Sequence, residues 1–279
     1  MGHAAGRDRD PPAADGGTAI TPGPLPAHVQ VVGYEPADGD DAALLVAREG
    51  VVAREPLSPG RELTWALGDR HCAGTVEDGR HVACSRESAP RCDRHTSRWA
   101  CVRCTGDCDL PLESCREEHA VYLAAFAPET FKVGVTRSWR LETRLREQGA
   151  DRAAHLRTVA DGRIARRIET DIAAAVGDRV RVPAKIRGLH LSVDEAAWES
   201  LLSGFDPLAT FSFDYGFEVA GRPMAETLAT GTVRGTQGRV LVLDHRQNTY
   251  AVDMRGLVGH ELHEGGTDRD LQSSLWAFG

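Results

Sequence analysis

All seven cysteines of this 279-residue chain lie between Cys72 and Cys115, with His71, His81, His95 and His119 among or beside them. The order is Cys72, Cys84, Cys92-x2-His95, Cys101-x2-Cys104, Cys108, Cys115-x3-His119. Zinc takes four thiolate or imidazole ligands at about 2.0–2.3 Å in a tetrahedron, and two ligands separated by two residues reach one ion from a single tight turn. Cys92-x2-His95 and Cys101-x2-Cys104 have that spacing. Cys108, Cys115 and His119 supply three more ligands, and Cys84 or Cys72 completes a second site. Two structural zinc ions are therefore expected on Cys84, Cys92, His95, Cys101, Cys104, Cys108, Cys115 and His119, with the pairing of ligands into sites left open. The segment Gly68–Glu118 has few large apolar residues, so metal has to do what a core does elsewhere. An odd cysteine count with no export signal speaks against a disulfide framework. Two other readings stay open: scattered buried or free thiols, and a redox or nucleophilic role for Cys101 and Cys104.

Apolar residues make up 41% of the chain and charged residues 27%, which places it among ordinary globular proteins. No apolar run reaches the roughly 18 residues of a membrane-spanning helix. Residues 1–27 are polar and rich in Gly, Pro and Asp and lack an apolar signal core. They are expected to form a disordered tail of a cytoplasmic protein. The net charge of −8 excludes a uniformly basic nucleic-acid binder but not a local basic face. Such a face is present: Lys132, Arg137, Arg140, Arg144, Arg146, Arg152, Arg157, Arg163, Arg166 and Arg167 stand against only four acids, Glu142, Glu147, Asp151 and Asp161. Arg163, Arg166 and Arg167 crowd the start of a helix, where the macrodipole disfavours cations. Phosphate is the partner that suits clustered arginines. The competing reading is a solvated face balanced by the acidic remainder of the chain.

The patterning divides the chain into a tail (1–27), an N-terminal β element (28–70), a zinc-binding segment (71–119), a small α/β unit (120–177) and a C-terminal β-rich domain (178–279). Val29–Tyr34 and Ala42–Arg48 read as strands. Ala120–Phe126 and Phe131–Val135, joined by a Pro-containing turn, read as a hairpin. Arg140–Gln148 is a short helix stopped by Gly149. Asp161 caps a second helix, Arg163–Val176, whose Ile164, Ile168 and Ile172 form an apolar stripe. Asp194–Leu202 reads as a further helix. Thr210–Phe217 alternates aromatic residues, which predicts a strand with a core-facing aromatic row. Gly231–Met254 reads as successive hairpins. Gly259–Gly266 (GHELHEGG) has histidines at i, i+3, not the i, i+4 of a zinc protease helix, and reads as a polar surface turn. The fold class expected is α+β: a zinc-stabilised segment feeding a small α/β unit, flanked by β-rich elements.

One stretch resembles a known superfamily. Ala120-Val121-Tyr122, then Lys132-Val133-Gly134, Arg144 and Glu169 follow the order of the GIY-YIG nucleases. The longer string HAVYLAAFAPETFKVGVTRSWRLETRLREQGADRAA, just after a Cys-x3-His, is similar to an uncharacterised family of that superfamily, DUF2797, over roughly residues 68–177. The resemblance implies a metal-dependent phosphodiester hydrolase acting on DNA or RNA. Tyr122 activates the nucleophile, Arg144 binds phosphate and Glu169 holds Mg²⁺. Lys132 stands at the second tyrosine, where an amine of lowered pKa would help deprotonate water or tyrosine. Gly134, Arg140 and Arg163 join them as phosphate-binding positions. Two alternatives remain beside the nuclease: a non-catalytic zinc-containing nucleic-acid-binding module, and a protein-interaction scaffold whose basic face meets acidic surfaces. No membrane partner is expected, and the oligomeric state is not legible.

Overall fold

Alternating apolar residues set up the first strands. In the computed structural model, which describes residues 29–96, 106–108 and 113–267, these are β1 (Val29–Glu35), β2 (Ala43–Arg48), β3 (Val51–Pro56) and β4 (Glu62–Arg70). A small hairpin follows, β5 (Thr75–Glu77) and β6 (Arg80–Val82). Then come β7 (His119–Phe126), β8 (Thr130–Arg137), α1 (Leu141–Gln148), β9 (Arg152–Val159) and α2 (Gly162–Val176). Two short helices, α3 (Val182–Gly188) and α4 (Glu195–Leu202), lead to β10 (Ala209–Ser212) and β11 (Met224–Ala225). The last described elements are β12 (Ala229–Gln237), β13 (Val240–His245), β14 (Asn248–Asp253), the one-turn α5 (Met254–Leu257) and β15 (His260–Glu264).

Eleven strands form one mixed sheet in the order β11-β14-β13-β12-β4-β15-β1-β2-β3-β6-β5, and only the β11–β14 pair is parallel. Leu44, Leu57, Leu241, Leu243, Met254 and Leu257 lie in its core. The other four strands form an antiparallel sheet in the order β10-β9-β7-β8.

This architecture corrects the α+β expectation. Among the described residues strand accounts for 40% and helix for 22%, so the structure is mostly β. The β-rich stretches at either end are not flanking elements. They interleave in the eleven-strand sheet, with β4 between β12 and β15, and β15 between β4 and β1. Periodicity reveals that a segment is a strand, but partners such as Leu262 and Leu67 are far apart in sequence. GHELHEGG is likewise not a surface turn: its His260–Glu264 portion is β15, an interior strand with Leu262 buried. The aromatic alternation after Thr210 leaves strand geometry at Ser212. Phe211 and Phe213 stack with centroids 6.2 Å apart, and the Tyr215 hydroxyl donates to the Ala150 carbonyl at 2.9 Å.

The four-strand sheet positions the chemistry of the α/β unit. Strand β7 is buried along nearly its whole length because helices cover both faces. Val121, Leu123 and Ala125 meet Ala165 of α2 and Trp198 of α4, whereas Ala120, Tyr122 and Ala124 meet Leu141 and Leu145 of α1. Gly149 ends α1 in the left-handed conformation, φ +69°, which suits glycine at this cap. The Asp161 carboxylate accepts the Arg163 N–H at 2.7 Å and starts α2. Strand β8 is left at the edge, with α1 and α2 on opposite sides of it. Among the described residues no helix is long and apolar enough to cross a membrane.

Candidate metal centre and cationic cluster

Four cysteine and histidine side chains converge next to the large sheet. Cys72 follows β4, Cys84 follows β6, and Cys92 and His95 share one turn in which His95 N–H donates to the Cys92 carbonyl at 3.0 Å. The ligand atoms of Cys72, Cys84, Cys92 and His95 all lie within 4.8 Å of one another. His95 Nδ1 is 3.3 Å from Cys72 Sγ and 3.4 Å from Cys92 Sγ. A tetrahedron with bonds of about 2.3 Å has edges of roughly 3.8 Å, so these spacings suit one ion, and a Cys3His set suits a metal such as zinc. Burial raises the Cys72 thiol. Burial pushes Cys92 the same way, but the Arg94 and His95 backbone N–H groups and the Cys72 and Cys84 side chains outweigh it and bring Cys92 down to about 6.

The cluster is tied to the sheet through His71. Its Nδ1 lies 2.9 Å from the Cys84 carbonyl and its Nε2 3.3 Å from Glu261 of β15. Gln30 of β1, fully buried, stands 3.2 Å from the same ring and donates to the Gly259 carbonyl at 3.0 Å. Metal-ligating segments are commonly oriented by such outer contacts.

The expected ligands thus separate. Cys84, Cys92 and His95 meet, joined by Cys72, which spacing alone left outside the set of eight. Cys101 and Cys104 lie outside the described residues. His119 and Cys115 are not part of the Cys3His group, nor is Cys108; they belong to the region around the start of α2. His119 packs so closely on Gly162 that a β-carbon there would stand 2.9 Å from its ring. Asp161, and behind it Cys108 and Cys115, favour the charged form of Arg163.

The second constellation sits at the edge of the small sheet. Tyr122 and Gly134 are register partners, and Lys132 is two residues from Gly134, so all three share one face of the hairpin. Arg144 approaches from α1. Glu169 comes from α2 on the other side of the edge strand. Both act electrostatically on Tyr122 and on Lys132, so the four residues form one coupled group. Tyr122 is 1% exposed, and its hydroxyl accepts from Gln148 Nε2 at 2.6 Å. Burial pushes its pKa up, which Arg144 only partly opposes. Lys132 is brought down to about 8, first by burial and then by Arg144. The space over Gly134 is filled by the Tyr122 phenol.

Much of the basic patch is internally paired. Glu147 bridges Arg140 and Arg144 at 2.7 and 3.0 Å, Glu169 accepts from Arg166 at 2.6 Å, Asp161 accepts from Arg163 and Glu195 accepts from Arg152. Arg146 pairs with Glu142, and Arg167 lies 3.5 Å from Asp107. Sequence reasoning missed Gln148, Glu147 and Lys185. A signal for the last was present: Lys132 and Lys185 are the only lysines in the chain, and the fold brings them within electrostatic reach of each other.

Together the fold and the donor set define a mostly β protein with a Cys3His centre against the eleven-strand sheet and a second, helix-covered sheet of four strands. The chain belongs to the family described as "Protein of unknown function (DUF2797)", which it matches over residues 60–262. No curated protein and no solved structure matches it.

Proposed function

We propose that this chain is a zinc-stabilised nucleic-acid-binding module that holds phosphodiester backbones along the cationic edge around Lys132 and Arg144. One observation carries the reading: cations from β8, α1 and α2 converge there, and burial together with neighbouring guanidinium groups already disfavours the charge on Lys132. An anion would relieve that potential, and a phosphate accepts from ammonium and guanidinium groups at once. The Cys3His set holds zinc in a structural role, because all four positions of a tetrahedron are filled by protein. A second zinc belongs to the Cys108, Cys115 and His119 region.

Magnesium fits the site poorly. Glu169 is the only carboxylate of the quartet and is engaged by Arg166 at 2.6 Å; it and Asp178 both act on Lys132. A resident divalent cation would be one more positive charge in a group already rich in them.

A second reading, phosphodiester hydrolysis as the GIY-YIG resemblance implies, is favoured by the Lys132 amine. At about 8 it is within range of taking a proton from water near neutral pH. Under that reading Lys132 is the base, and Tyr122, neutral and sealed in, positions the hairpin.

Labelled DNA and RNA strands titrated with the protein at several salt concentrations test the first reading. Binding that weakens steeply with salt supports it, and absence of binding at low salt overturns it. Product analysis on the same samples decides the second: strand scission that disappears in Lys132→Met establishes it, and intact strands under all conditions reject it.

A further inference from the structure

A cleft of about 620 Å³ opens beside this cluster, lined by α1, by α3 and the residues before it, and by β1, β14 and the β12–β13 turn of the large sheet. Arg144 of α1, Arg181 at the cap of α3, Lys185 within α3 and Arg239 in the β12–β13 turn supply its cationic wall. Tyr34 of β1 and Pro183 also line it. Two carboxylates also face it, and both are engaged: Glu147 by Arg140 and Arg144, Asp253 by Arg239 at 2.8 Å. Arg181 is exposed and makes no ion pair among the described residues. Lys185 Nζ donates to the Gln148 carbonyl and lies 4.3 Å from the centroid of the Phe126 ring. Neither partner carries a full negative charge. Burial, then Lys132, Arg239 and Arg144, bring Lys185 down to about 7, with Asp151 opposing. Cations from three elements therefore meet here with less negative charge than they would match.

We infer that this cleft binds a nucleoside phosphate, with Arg144, Arg181, Lys185 and Arg239 on the phosphate and Tyr34 against the base. Guanidinium forks give paired donors to phosphate oxygens. The volume lies inside the range of about 300–1,000 Å³ typical of small-molecule sites, well beyond what a bare phosphate fills. An aromatic ring beside cations suits a base, which presents a π face whatever its identity. The inference goes beyond backbone binding at the sheet edge and stands whether or not that edge holds a strand. Free nucleotides and the phosphorylated end of a strand carry the same group.

Calorimetric titration of the full chain with adenosine monophosphate, inorganic phosphate, and a short oligonucleotide with or without a 5′-phosphate tests it. The nucleotide is expected to bind about tenfold or more tightly than inorganic phosphate, and Arg181→Ala to weaken it by about tenfold, the loss of one charge-assisted contact. Arg181 has no ion pair among the described residues to lose, so that variant reads binding and not folding. Binding at about pH 7.5 is also expected to take up protons, seen as a dependence of the heat on buffer ionisation. Lys132, Arg144, Arg239 and Asp151 all act on Lys185, and Lys132 titrates nearby, so Lys185→Met and Lys132→Met are compared. The former should lose more of the uptake. Binding of the nucleotide identifies a free ligand, and binding of the phosphorylated strand alone identifies strand ends. No binding of either, phosphate binding as tightly as nucleotide, or indifference to Arg181→Ala overturns the site.

Discussion

The Tyr122 phenol lies across the bare backbone of Gly134, so close that a β-carbon on the glycine would stand 2.5 Å from the hydroxyl. The two residues face each other across the β7–β8 hairpin, and the ring fills the hollow between it and Gln148 of α1. Gly134→Ala should therefore overpack this site and lower stability by about 1–3 kcal/mol, read as a shift in the urea midpoint at unchanged slope. Wild-type stability in that variant would mean that the ring is free to move aside.

Cys72 completes the Cys3His set although no nearby spacing announces it. Cys72→Ser is expected to remove about one zinc per chain and to destabilise the fold, as measured by elemental analysis and thermal unfolding. Chelation of the wild-type protein should do the same. Unchanged zinc content in Cys72→Ser would move the fourth ligand elsewhere.

Some of this was open to sequence reasoning and some was not, for a physical reason. The β7–β8 hairpin, the Gly149 stop and the Asp161 cap are local, and their residues state them directly. Cys84, Cys92 and His95 were legible as metal ligands while their grouping into one site was open, and Cys72 reaches them because β4 is anchored between β12 and β15. Strand β9 escaped notice because its buried residues include the small Ala153 and Ala154, which give a weak alternation signal. Strand β15 reads as polar because one buried residue, Leu262, carries its apolar content; its neighbours on both sides make it a strand. The order Tyr122, Lys132, Arg144, Glu169 came from resemblance, whereas the sealing of the phenol is a matter of packing that no spacing reports.

Lys132 carries a pH signature. Its folded pKa, about 8, lies below the ordinary lysine value of 10.5. The unfolded chain therefore binds more protons between those values, and this group penalises the native state fully below about pH 8. The penalty fades as pH rises from about 8 toward 10.5. Lys132→Met should raise the unfolding midpoint at pH 7 and flatten that rise while weakening nucleic-acid binding. Such a trade of stability against binding is usual at functional sites. Equal midpoints for the two proteins across pH 7–10 would mean that the amine is solvated.

Glu169 separates structure from chemistry. Glu169→Gln keeps its size but gives up its ion pair with Arg166. It should leave strand binding unchanged or slightly tighter, since a negative charge is removed from the group proposed to meet phosphate. Markedly weaker binding in anisotropy titrations would show that Glu169 orders the edge by holding Arg166.

The most direct measurement is the salt dependence of strand binding, by fluorescence anisotropy, for the wild-type protein and Arg144→Ala. The affinity of the wild type should fall steeply with salt, and Arg144→Ala should bind more weakly with a log–log slope shallower by about one. Identical slopes and affinities, or no binding by the wild type at low salt, would contradict a phosphate-holding edge.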